Sequence, residues 1–175
     1  MAPRVTINRA AGCAAAFMFT AILATSANAD ISVRFDEGAP KDRFTFENVG
    51  SCPIGASELV LDISGSKAGL IFDTTGAGAG VEVFQPLEIV SGAQSLAAIT
   101  KVKDGDNAVT LSIAELQPGA KIAFTIDVDD TAGGREITVS GSEIEGASVT
   151  FSNNGKSVTA ALSSGATALV KTGAC

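Results

Sequence analysis

Asp127, Asp129 and Asp130 stand nearly side by side, and Thr131, Ala132, Gly133 and Gly134 follow, with Arg135 and Glu136 beyond. Oxygen ligands at this density suit Ca²⁺, which takes roughly six to eight hard oxygens in flexible geometry. The neighbours Ile122, Phe124, Ile126 and Val128 alternate with polar residues. In an extended strand Asp127 and Asp129 therefore share the face turned away from the core, roughly 7 Å apart. Like charges this close raise each other's proton affinity unless a cation or an Arg lies between them. A strand-end ion pair to Arg135 with Asx-type turn caps is the competing reading of the same residues. Asp104 and Asp106 flank Gly105 in a second acidic turn before Asn107. That turn falls short of the EF-hand ligand series, and it would complete the coordination if both loops met at one end of the fold. The candidate metal ligands are thus Asp127, Asp129, Asp130, Asp104 and Asp106, with Ca²⁺ as the ion.

Other chemistry finds less support. The 175 residues contain no His, no Trp and no Tyr, which removes the commonest general base, every Ser-His or Cys-His dyad and the His-containing zinc sites. The run from Gly76 to Gly80 is glycine-rich, but Val81, Glu82, Val83 and Phe84 behind it read as a strand, with no Lys-Ser/Thr pair. A phosphate loop needs that pair and a helix. A hydrolase would have to use Asp127 with Asp129 or Glu136, a separation that meets the glycosidase requirement only nominally. Beyond the leader described next, Phe is the one aromatic residue, mostly at inward strand positions such as Phe44, Phe46, Phe124 and Phe151. No catalytic residues are assigned, and the protein is read as a non-enzyme.

Arg4 and Arg9 precede an apolar stretch from Ala10 to Leu23, and Ala27, Asn28 and Ala29 form a small-x-small site. This pattern predicts a secretory signal peptide over residues 1–29. The apolar stretch is shorter than the roughly 20 residues that span a bilayer, and Cys13 stands at its start, where a lipobox cysteine does not occur. The mature chain, residues 30–175, is expected to be secreted or periplasmic, with no transmembrane segment. Loss of Arg4 and Arg9 leaves ten basic against nineteen acidic residues, a net charge of −9. Such a surface disfavours nucleic acid and anionic membranes and suits cations or solubility. Cys52 and Cys175 remain, and an even count in an oxidising compartment predicts a disulfide between them, within one chain or through Cys175 between two.

Period-2 alternation predicts strands at Ile31–Phe35, Arg43–Phe46, Leu59–Ile63, Val81–Phe84, Val109–Ile113, Ile122–Val128, Ile137–Val139 and Ser148–Phe151. Turn clusters separate them at Asp36–Pro40, Gly76–Gly80, Lys103–Asn107, Gln117–Gly119, Ala132–Gly134 and Asn153–Gly155. Asn154-Gly155 between Val149–Phe151 and Val158–Ala160 signals a type I′ hairpin that pairs these two segments as the last two strands. A helical turn or two near Ser91 to Ala98 is the one helix expected. The result is a single all-β domain over residues 30–175, an antiparallel β-sandwich of immunoglobulin-like or jelly-roll-like type.

Several stretches carry a family resemblance: Phe44–Asn48, Gly69–Asp73, Gly78–Pro86, Asp104–Asp106, Pro118-Gly119, Phe124–Thr131 and Gly134–Gly146. They resemble a family of secreted bacterial domains known as aggregation factor core proteins, after the core protein of sponge aggregation factors. The resemblance spans about residues 42–152. It implies an extracytoplasmic module for adhesion or self-association, since sponge aggregation factors are proteoglycan-like assemblies whose adhesion depends on Ca²⁺ and carbohydrate. The partner would be a protein, a cell surface or a second copy of the chain. The alternative is a ligand-binding module that grips a carbohydrate or small molecule through loop polar groups.

Overall fold

The computed structural model describes residues 28–74, 85–131 and 139–173. It is an antiparallel β-sandwich, as the alternation predicts. Among the described residues eleven strands follow one another: β1 (Ile31–Asp36), β2 (Asp42–Asn48), β3 (Ser57–Asp62), β4 (Ile71–Asp73), β5 (Glu88–Ser91), β6 (Leu96–Ile99), β7 (Ala108–Ile113), β8 (Lys121–Asp129), β9 (Ser148–Asn153), β10 (Lys156–Ala161) and β11 (Thr167–Val170). One sheet runs β11-β1-β2-β8, with β5 and β4 sharing the far edge of β8. The other runs β10-β9-β3-β7-β6.

The core lies between the two inner faces. Phe44 on β2 joins three other rings, with centroids 5.0 Å from Phe35, 5.3 Å from Phe124 and 6.5 Å from Phe72. Leu59, Leu61, Leu111 and Val149 face them from the second sheet, all fully buried. Phe46, Phe124 and Phe151 are buried at their expected inward positions. The Asn154-Gly155 hairpin forms with φ of 49° and 76°, the left-handed pair that a type I′ turn requires.

Four short strands, β4, β5, β6 and β11, lie outside the expected set. All four have three or four residues at an edge, and β5 and β6 each carry a register shift, so none shows a clean period of two. The helical turn expected between Ser91 and Ala98 is a single 3-10 turn at Ala93–Ser95 running straight into β6. Gly92 before it has a φ of 74°. A side chain there would collide with the Lys121 carbonyl oxygen, so glycine alone lets this corner press against β8. The expected strand at 81–84, residues 137–138 of the expected strand Ile137–Val139, and the turns at 76–80 and 132–134 lie outside the described residues, and Val139 itself is in no strand.

Among the described residues, domain contacts already involve Asn28, two residues before the expected boundary at Asp30. The Ser51 N–H donates to the Asn28 carbonyl, and the Ala29 N–H donates to the Gly173 carbonyl. Ala29 is itself buried. No helix among the described residues is long and apolar enough to cross a membrane.

Phe44→Ala removes the ring on which three others rest and should lower unfolding free energy by about 3–5 kcal/mol. Denaturant unfolding followed by circular dichroism checks this, and a loss under about 1 kcal/mol would show that the cluster repacks.

Candidate metal centre

The register of β8 against its neighbours builds the site. β4 pairs antiparallel with the end of β8, Asp73 opposite Asp127 and Ile71 opposite Asp129. Directly opposed residues point to the same side of a sheet, so Asp73, Asp127 and Asp129 share the face away from the Phe core. One carboxylate oxygen from each lies within 4.8 Å of the others. Asp73 is buried, while Asp127 and Asp129 are half-buried.

Asp73 was not among the sequence candidates. It stands alone as an acid in Ile71-Phe72-Asp73, and only the pairing of β4 with β8 carries it to the other two. The loop of Asp104 and Asp106 does arrive at the same end. The Phe72 N–H donates to the Asp106 carbonyl, the Gly105 N–H to the Phe72 carbonyl, and the Thr74 N–H to Asp104 Oδ1 at 3.2 Å. Neither carboxylate joins the three-acid cluster. Asp106 Oδ2 instead accepts from the Lys103 N–H at 2.8 Å, closing its own turn. Asp130 is half-buried beside the cluster and not part of it. Arg135 lies outside the described residues.

A fourth carboxylate sits at the back of the site. Asp42 opens β2 on the inner face, opposite Ile126, and is 2% exposed. Its Oδ2 accepts from the Val128 N–H at 3.1 Å and its Oδ1 from the Gly38 N–H at 3.0 Å. It thereby continues the β2–β8 ladder one step past the end of β2 and closes the loop from β1. Burial pushes its carboxyl up to about 7, the two backbone N–H groups oppose the rise, and Asp127 and Asp129 add to it. Asp127 is pushed up to about 6, by burial first and then by Asp129, while the Val128 N–H and Lys41 pull it down.

Lys41 is the nearby cation. Its Nζ donates to the Pro86 carbonyl at 2.9 Å and pairs with Glu88 at 3.2 Å, so its charge is already shared. Asp129 Oδ2 is buried and accepts no hydrogen bond among the described residues. A buried oxygen of this kind carries the desolvation cost without compensation, and a hard cation would supply what it lacks. Three carboxylate donors fit Ca²⁺ or another hard divalent ion, with water or backbone oxygens needed to fill the shell. Sulfur and imidazole donors are absent from the cluster, which argues against zinc and copper.

No family model, no curated protein and no solved structure matches this chain.

A pH dependence follows from the raised carboxyls. In the unfolded chain both acids titrate near 3.8, and in the fold near 7 and 6, so the folded state binds more protons across that interval. Without divalent cation, stability should be full below about pH 4 and fall as pH rises through 6 to 7. Thermal midpoints in EDTA between pH 4 and 8 check the sign, and Asp42→Asn should flatten the upper part of the profile. A midpoint that climbs over this range would contradict the burial argument.

Proposed function

We propose that this protein is a secreted or periplasmic, non-catalytic module for adhesion or self-association, stabilised by Ca²⁺ at Asp73, Asp127 and Asp129. The observation that carries this reading is the convergence of those three carboxylates, with the buried Asp129 Oδ2 unmatched by any hydrogen bond among the described residues. Ca²⁺ supplies positive charge there. It would tie β4 to β8 and neutralise repulsion that otherwise works against the fold. The signal-peptide pattern, whose residues 1–27 lie outside the described ones, and the acidic mature surface agree with an extracytoplasmic site of action. So does the resemblance to aggregation factor core domains, which adds the expectation of a cell-surface or self partner.

A second reading, ligand binding, is favoured by one feature. The outer face of the first sheet holds an open groove of about 560 Å³, lined by Ser32, Arg34, Arg43, Thr45, Glu47 and Lys121 among others. Most of the residues that line it are polar and of mixed charge, suited to a hydroxyl-rich or anionic small molecule.

The Cys52–Cys175 disulfide belongs to the same proposal. Cys52 is the sole cysteine among the described residues, and Cys175 lies outside them. Support comes from the path of the chain. Cys52 Sγ lies 3.3 Å from the Asn28 carbonyl oxygen. The adjoining Ala29 is bound by the Gly173 carbonyl and the Thr172 hydroxyl, so the chain two residues before Cys175 runs past the neighbourhood of Cys52. Closing a loop of 122 intervening residues stabilises by roughly 4 to 5 kcal/mol in the chain-entropy account.

Two experiments test the proposal. Millimolar Ca²⁺ should raise the thermal midpoint of the mature protein over EGTA by roughly 5–10 °C, with little effect of Mg²⁺, as linkage at about a hundredfold excess over Kd requires. Asp73→Asn, Asp127→Asn and Asp129→Asn should each abolish the rise, and an unchanged shift in all three would sink the site. For the disulfide, thiol titration of the denatured protein should find no free thiol before reduction, and reduction should lower the midpoint. A dimer that dissociates on reduction would place the bond between chains instead.

A further inference from the structure

The four other edge strands are blunted in the ways that prevent pairing with another chain. β4 and β11 have three and four residues. β5 begins with Glu88 and shifts register between Ile89 and Ser91, and β6 shifts between Leu96 and Ala98. β10 has none of these devices. It pairs with β9 over six consecutive residues without a bulge, and its single charge, Lys156, stands at the end beside the turn.

The two-residue turn settles which backbone groups are open. Asn153 and Lys156 flank it and form a hydrogen-bonded pair, so Lys156, Val158 and Ala160 direct their backbone groups to β9. Leu162 continues the phase, its N–H donating to the Ala147 carbonyl at 2.7 Å. Ser157, Thr159 and Ala161 therefore direct N–H and C=O away from the sheet, and none of these groups enters another hydrogen bond among the described residues. All three residues are exposed.

We propose that β10 pairs antiparallel with β10 of a second copy about a two-fold axis at Thr159, joining two five-stranded sheets into one of ten strands. This names the partner surface for the self-association reading above and rests on it for the choice of a second copy. The strand is self-complementary in this register. The axis sets Thr159 against Thr159 of the second copy, Ser157 against Ala161 and Val158 against Ala160. The outward residues meet as hydrogen-bonded pairs, the half-buried Val158 covers a small partner, and Thr opposite Thr is a favourable cross-strand pair. The two Lys156 side chains lie at opposite ends, so no like charges face one another. The outward neighbours are small as well: Thr159 bonds to Thr150 and Ser157 to Ser152 through their hydroxyls at 2.8 and 2.9 Å, leaving nothing bulky to obstruct the join. β11 packs beside β10 from the other sheet and exposes Leu169, one of three large hydrophobic side chains exposed among the described residues.

Sedimentation of the mature protein over a range of concentrations, in EGTA and in Ca²⁺, tests the interface. A concentration-dependent dimer is expected in both. Thr159→Pro removes an outward N–H that the β9 ladder does not use, and Thr159→Lys sets two positive charges across the axis. Each should raise the dissociation constant at least tenfold while the circular dichroism spectrum and thermal midpoint stay near wild type; Thr159→Lys keeps the test open if the proline variant does not fold. Thr159→Cys should crosslink to its own counterpart, because a hydrogen-bonded pair has Cα atoms about 5.5 Å apart, within disulfide range. Ser157→Cys, facing Ala161, should not. A dimer that Thr159→Pro and Thr159→Lys leave unchanged, with no crosslink at position 159, overturns the interface. Association that EGTA abolishes and Thr159→Lys does not would also overturn it, leaving the calcium-dependent reading in place. A protein monomeric under every condition overturns both.

Discussion

The strict alternation along β8 is the constraint on which this molecule depends. Nine residues without a bulge place Ile122, Phe124, Ile126 and Val128 in the core and Thr125, Asp127 and Asp129 on the other side. A slip of one residue would bury the acids among phenylalanines and expose four large hydrophobic side chains, so the register is strongly specified. Because β8 is also paired along both edges, the same constraint fixes where β2, β5 and β4 lie, and with them Asp42 and Asp73.

That arrangement works against itself at one end. Burial and mutual repulsion both disfavour the charged forms of Asp42 and Asp127. The fold answers with backbone N–H groups on Asp42 and a shared Lys41, and the carboxyls remain raised. A site that is uncomfortable when empty of positive charge gains most from a divalent cation. Stability and the proposed function are therefore two views of one electrostatic imbalance, which protons and the proposed Ca²⁺ would compete to relieve.

The opposite end is handled by neutral hydrogen bonds. Asn48, the polar residue at the far end of β2's inner face, donates to the carbonyls of Cys52 and Leu116 and accepts from the Gly50 N–H. A buried amide with these partners is satisfied. It holds the Cys52 loop against the bridge between Ile54 and Leu116, where residues 28–29 and 172–173 also meet. The two ends of β2 thus carry a charged group under strain and a neutral one at rest.

Much of this was legible in the residues alone. Period-2 alternation places the long strands and their inward faces because burial of a pleated strand depends only on neighbours one and two positions away, and Asn154-Gly155 specifies its hairpin because few residues adopt positive φ. Asp127 and Asp129 share a face for the same local reason. The short edge strands escape such reading, since three or four residues, in β5 and β6 broken by a register shift as well, have no period to detect and form only against a partner already in place. Asp73 escapes it too: it lies more than fifty residues from Asp127 in the chain, and only the β4–β8 ladder brings them together. Asp104 and Asp106 show the converse, acids close in sequence to the right kind of turn and brought to the right end, yet outside the cluster. Composition and periodicity determined a sandwich with an acidic strand end, and long-range pairing alone decided which carboxylates meet, because contact across a sheet is set by register between strands and not by distance along the chain.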